Sequence, residues 1–308
     1  MKRLAAISLL LACAIACVAR REEKKPAFDV AAHAADIQKW QKTRAERLQA
    51  EDGWLSLVGL YWLHEGENRF GSDKSQNDMV FPKNAPAHAG TFMMQNGHVV
   101  MTAAVPMTID GKPVNAPMPL IDDANGGQSP TVVQLGTMRF QVIKRGDRYG
   151  IRVKDPASEA RTHFVGLDYF PIDPKWRIEA RYEPYTPPKK IPITNVLGMT
   201  SNEISPGALV FEIDGKEVRL DPILEEGETD LFIILKDQTS RDSTYPAGRY
   251  LYATPPAKGS DKVIVDFNKA YNPPCAFTDF ATCPLPPMQN RLPFRIEAGE
   301  KKYRGGHA

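Results

Sequence analysis

Apolar and polar positions alternate in two rhythms along this chain. From Val30 a helical face recurs at three- and four-residue steps, at Val30, Ala34, Ile37, Trp40 or Gln41, Arg44 and Leu48, with Lys and Arg between them. That spacing predicts one amphipathic helix over 30–50, packed on the outside of the β-rich remainder of the chain. A helix that docks a partner is the alternative use of the same pattern. After it the rhythm shortens. Gly53-Trp54-Leu55-Ser56-Leu57-Val58-Gly59-Leu60-Tyr61-Trp62-Leu63 is apolar throughout and contains two glycines, which favours a buried strand over a helix.

Short strands separated by turn residues come next: 79–81, 90–93, 98–101, 107–109, 132–135 and 139–143. Turns every ten residues or so predict a β-sandwich over 51–148. From Tyr149 the β-pattern continues. A Pro/Lys connector is expected at 184–192, and antiparallel strands at 191–196, 207–213, 216–220, 231–235, 248–253 and 263–267. Asp214-Gly215 is a hairpin turn signal, and Leu231–Leu235, apolar on both faces, reads as a central strand. The fold class is thus mostly β: an N-terminal helix, a sandwich, then a second antiparallel sheet or barrel-like domain over 149–303. A final strand is expected from Leu292 to Ile296, after a loop stiffened by Pro273, Pro274, Pro284, Pro286 and Pro287.

The first residues change the expected compartment. Met1-Lys2-Arg3 is basic, and Leu4 to Ala16 is apolar but too short for a permanent span. This stretch resembles a bacterial lipoprotein signal peptide over 1–17. Cys17 is the favoured lipidation site and Cys13 the alternative; an ordinary cleaved signal peptide is the other reading. Residues 18–29 read as a tether. The protein is expected to be exported and lipid-anchored in the cell envelope, facing the periplasm. In that compartment Cys275 and Cys283 are expected to pair as a disulfide. The six scattered histidines offer no zinc spacing, so no metal is expected. There is no Gly-rich phosphate loop and no G-x-S-x-G elbow, and no cofactor is expected. A net charge of +2 with interleaved signs gives no reason to expect a nucleic-acid partner.

Within 51–148, Asn77-Asp78-Met79-Val80-Phe81-Pro82, His88-Ala89, Asn96-Gly97, Ile109-Asp110-Gly111-Lys112-Pro113-Val114 and Leu135 to Val142 resemble, in order, a forkhead-associated (FHA) sandwich. That family reads phosphothreonine with an Arg after a Gly and a Ser shortly before the His. Here Gly71 is followed by Ser72, and the position near Ala85 is not Ser. The resemblance therefore implies a scaffold without a phosphothreonine site. A longer set of words resembles the bacterial domain of unknown function 1684. It runs from Gly53-Trp54-Leu55-Ser56-Leu57 through Tyr169-Phe170-Pro171, Asn195-Val196-Leu197-Gly198 and Gly248-Arg249-Tyr250. It closes in Asp266 to Phe277, Cys283-Pro284-Leu285-Pro286-Pro287 and Asn290-Arg291-Leu292. This kinship implies no activity.

The chemistry-bearing residues concentrate in the C-terminal half. Asp237, Tyr245 and Asp266 are candidates for acid–base work. Arg249, Asn268, Tyr271, Asn272, Asn290 and Arg291 are candidates for holding a ligand. The same groups could instead form a buried polar network that pins the loop. Three functions are compatible with this inventory: binding of a small molecule or glycan, hydrolysis by Asp237 and Asp266, or an envelope scaffold that contacts other proteins. Oligomeric state is left open.

Overall fold

A computed structural model describes residues 28–124, 126–225 and 227–305. Cys13, Cys17, the signal segment and nearly all of the 18–29 tether lie outside them. The expected helix is present as α1 (Val30–Gln49), capped by the Asp29 carboxylate, which accepts from Ala32 N at 3.0 Å. Of its residues His33, Ile37 and Leu48 are buried. Instead of one strand over 53–63, a 3-10 turn at Trp54–Ser56 precedes β1 (Leu57–Trp62).

The sandwich comes next. In chain order its strands are β2 (Gly66–Gly71), β3 (Met79–Val80), β4 (Gly90–Gln95), β5 (His98–Ala103), β6 (Thr108–Ile109), β7 (Lys112–Pro113), β8 (Met118–Leu120), β9 (Val133–Leu135), β10 (Met138–Arg145) and β11 (Arg148–Lys154). One sheet runs β1-β11-β10-β9-β6-β7 and the other β3-β2-β4-β5-β8. Between them Phe70, Phe81, Phe92 and Phe140 form an aromatic centre, Phe92 meeting Phe140 edge-on at 5.8 Å and 88°. Burying each such ring stabilises by about 2–3 kcal/mol.

Past α2 (Glu159–Thr162), β12 (Arg177–Thr194) and β13 (Thr200–Ile213) are far longer than the pattern suggested. The expected connector at 184–192 is strand, and Pro187 and Pro188 fall in a register break between Pro184 and Lys189. Such a break is where a sheet tolerates residues without an N–H. With β14 (Lys216–Leu220) and β17 (Lys262–Asp266) they form a four-stranded sheet, order β14-β13-β12-β17. The Asp214-Gly215 turn takes positive φ at both residues, 50° and 71°, as a primed hairpin turn requires.

The pair β15 (Leu231–Leu235) and β16 (Arg249–Ala253) packs on this sheet. Leu231, Ile233 and Leu235 face that core. Phe232 and Ile234 face a second cluster with Tyr250, Cys275 and Cys283. β15 is therefore buried on both sides, as its composition implied. No strand forms at 292–296; that segment is irregular backbone, fixed by Leu292 N donating to Lys236 O and Gln238 N to Phe294 O.

Candidate functional site

The prolines of the 267–291 loop remove donors, and its 3-10 turns (Phe267–Lys269, Pro274–Ala276, Met288–Asn290) leave backbone groups with no ladder to satisfy them. Side chains take that role. Asn290 accepts from Asp221 N at 2.8 Å and donates to Asp221 O and Ile234 O, each at 3.0 Å. Asn268 joins Asp173 N and O to Asp266. Asn272 donates to Lys301 O at 2.8 Å, while its own N–H meets Glu300. Asp266 also holds the buried His33 ring at 2.6 Å.

Arg249 lies at 1% exposure, with Nη2 2.5 Å from Asp237 and further bonds to Ala298 O and Ile296 O. Burial pulls its pKa down and Asp237 opposes this. Tyr245 donates to Cys275 O at 2.8 Å. Arg291 is exposed, donates to Pro286 O, and borders a separate cavity of about 460 Å³ with Asp237 and Lys236. The structure thus brings Asp237 and Arg249 together, and Asp266 with Asn268. Arg291 shares its cavity with Asp237, while Asn290 is taken up by Asp221 and Ile234.

The expected disulfide is not formed. Cys283 Sγ instead accepts a hydrogen bond from Cys275 N at 3.1 Å, and both residues are buried among Phe232, Ile234 and Tyr250. The neighbouring Cys275 side chain and burial push the Cys283 thiol up, which makes it a poor nucleophile.

A cleft of about 760 Å³ opens elsewhere, between α1, the outer face of the first sandwich sheet and the β15–β16 pair. α1 supplies Asp36, Lys39, Trp40, Thr43, Arg44 and Arg47. Trp54, Arg145 and Arg152 come from the sandwich side. The C-terminal half adds Glu225, Phe232, Tyr250, Tyr252, Lys269, Tyr271, Pro274, Thr282, Cys283 and Pro284. Of the candidates named for ligand contact or acid–base work from the sequence, Tyr271 lines it.

Six basic residues face two acidic ones in this lining. Arg145 is matched by Asp123, through two bonds of 2.9 Å, and Arg44 by Glu300 at 2.9 Å; Lys269 meets Asp36 at 2.8 Å. Arg152 has no such match. It is 8% exposed, its Nε is buried without a hydrogen-bond partner, and no carboxylate pairs with it among the described residues. Its guanidinium lies 5.3 Å from the Trp54 ring centroid. Burial, reinforced by Arg145, lowers its pKa to about 10.

At the other end Phe232 stacks on Tyr252 at 4.8 Å, and Tyr252 donates to Glu225 at 2.8 Å. Burial pushes the Glu225 carboxyl up.

The family model for "Protein of unknown function (DUF1684)" matches residues 162–301. The DUF1684 segment therefore contains the whole C-terminal side of the cleft, whereas α1, Trp54, Arg145 and Arg152 precede it. Among solved structures, an uncharacterised protein of Haloarcula marismortui, determined by solution NMR, is 31% identical. That match covers 47% of this chain and 81% of the other, with a TM-score of 0.40. No curated protein matches the chain.

Sequence reasoning missed Arg152 because an arginine inside a strand reads as a solvent-facing position. Its cross-strand neighbours are Leu60 and Gln141, and Ile143, on the same face of the sheet, is 0% exposed. An apolar residue on the outer face of a sandwich sheet was the available sign that this face is covered.

Proposed function

We propose that the protein binds a small organic anion in the cleft beneath α1. It does so as an exported protein, anchored through a lipid on Cys17. One observation carries the binding reading: Arg152 lines the cleft largely buried, its Nε has no hydrogen-bond partner, and no carboxylate forms an ion pair with it among the described residues. Leaving a charge in that state costs several kcal/mol unless something pairs with it, and a carboxylate or phosphate oxygen is the natural complement. The surplus of basic groups in the lining supports the same sign of ligand. Aromatic side chains around them supply an apolar wall, the usual make-up of a small-molecule site.

Asp237 and Asp266 are engaged by Arg249 and His33, so binding rather than hydrolysis is the favoured use of this chain. The test is a thermal-shift and calorimetric screen of carboxylates and phosphate esters against wild type and Arg152→Met. A ligand that raises the melting temperature of wild type and leaves the variant unmoved is the expected result. Hits that stabilise both equally would remove Arg152 from the site.

A further inference from the structure

The two ends of the cleft are chemically different. Near Arg152 stand Trp54, Arg145 and Cys283. From there a ladder of rings leads away: Tyr250 meets Phe232 edge-on at 4.9 Å, and Phe232 stacks on Tyr252 at 4.8 Å. Phe232 thus joins Tyr250 to Tyr252, and the Tyr271 ring stands beside both. Tyr252 is 41% exposed, so part of its ring remains open to the cleft, and Tyr271 lies nearly parallel to it at 14°.

Glu225 ends the ladder. One carboxyl oxygen accepts from Tyr252, and no other side-chain donor meets Glu225 among the described residues. An acidic group placed at the far end of a basic cleft opposes anions there and accepts a hydrogen bond instead. Resting on the anion reading above, we propose that the ligand is an extended planar acid carrying a hydroxyl donor at the end remote from its acid group. Arg152 takes the acid, the aromatic wall takes the frame, and Glu225, oriented by Tyr252, takes the hydroxyl.

Trans-4-hydroxycinnamate has its carboxylate and phenol at opposite ends of one conjugated plane, and cinnamate lacks only the hydroxyl. Titration calorimetry on the folded wild type compares the two, with phosphate and acetate as plain anions. The expected result is that 4-hydroxycinnamate binds roughly tenfold more tightly than cinnamate, the scale of one hydrogen bond to a charged group. Glu225→Ala should erase that preference while leaving cinnamate binding unchanged, with circular dichroism confirming the fold. Equal affinity of wild type for both compounds, lost in Arg152→Met, would overturn this inference and leave the anion reading standing. No binding of either compound, nor of phosphate or acetate, at millimolar concentration would overturn both.

Discussion

Replacing Arg152 with Met should make the ligand-free protein more stable. Folding buries most of this side chain with no carboxylate in ion-pair contact, and burial and Arg145, opposed by the charge of Asp123, bring its pKa from the ordinary arginine range to about 10. That displacement corresponds to roughly 3 kcal/mol lost by the charged form on folding. At neutral pH the side chain is protonated in both states, so the whole penalty is present. Methionine is unbranched and flexible enough to fill the same space without the charge. Against the relief stands the contact with Trp54, about 0.5–1 kcal/mol. The net gain is about 2 kcal/mol, which for a chain of this size raises the melting temperature by about 4 °C. Scanning calorimetry on both proteins, extensively dialysed, measures it. A melting temperature that falls by a similar amount would refute the reasoning, because Arg152 would then be holding the fold rather than waiting for an anion.

Arg249→Ala should cost about 3–5 kcal/mol, since it strands Asp237 in the core; a lower urea midpoint with an unchanged slope is the expected reading. Asp242 is held down to about 2 by Arg295 and Ser243, so its contribution is complete above the ordinary carboxylate value of 3.8. It is lost as pH falls toward 2, and the melting curves of wild type and Asp242→Asn should converge over that window. Cys275 and Cys283 should resist iodoacetamide in the native protein and react after denaturation without reductant, as read by mass spectrometry of their peptide. Phe140→Ala empties the centre of the sandwich and should cost about 3–5 kcal/mol by the same urea titration.

Much of the fold was legible because local pattern and tertiary burial agree. α1 spans nearly the residues its three-and-four spacing marked, and Asp214-Gly215 makes the turn its dipeptide announces. The Pro-rich loop was legible as rigid, but its density of Asn and Asp answers a backbone need. Asn290 and Asn268 stand in for a missing ladder. The cleft was hidden for a different reason. Arg152, Trp40, Tyr252 and Glu225 sit in four segments with ordinary local patterns, and only docking of the sandwich against the C-terminal half makes them neighbours. Long-range juxtaposition leaves no periodic trace.

The way α1 is fastened has a mechanical consequence. Its N-terminal half is held to the body by His33 on Asp266 and Asp36 on Lys269, its C-terminal half by Arg44 on Glu300. Tension applied at residue 28 loads these attachments one after another, as when tape is peeled, rather than all together. The first to part are His33 and Asp36, and Asp36 is one of the residues that wall the cleft. Pulling on the N-terminal end therefore opens the cleft from its rim before it loads the two β cores. Under the proposed lipid anchor, load on the chain would pass through the same helix that walls the cleft.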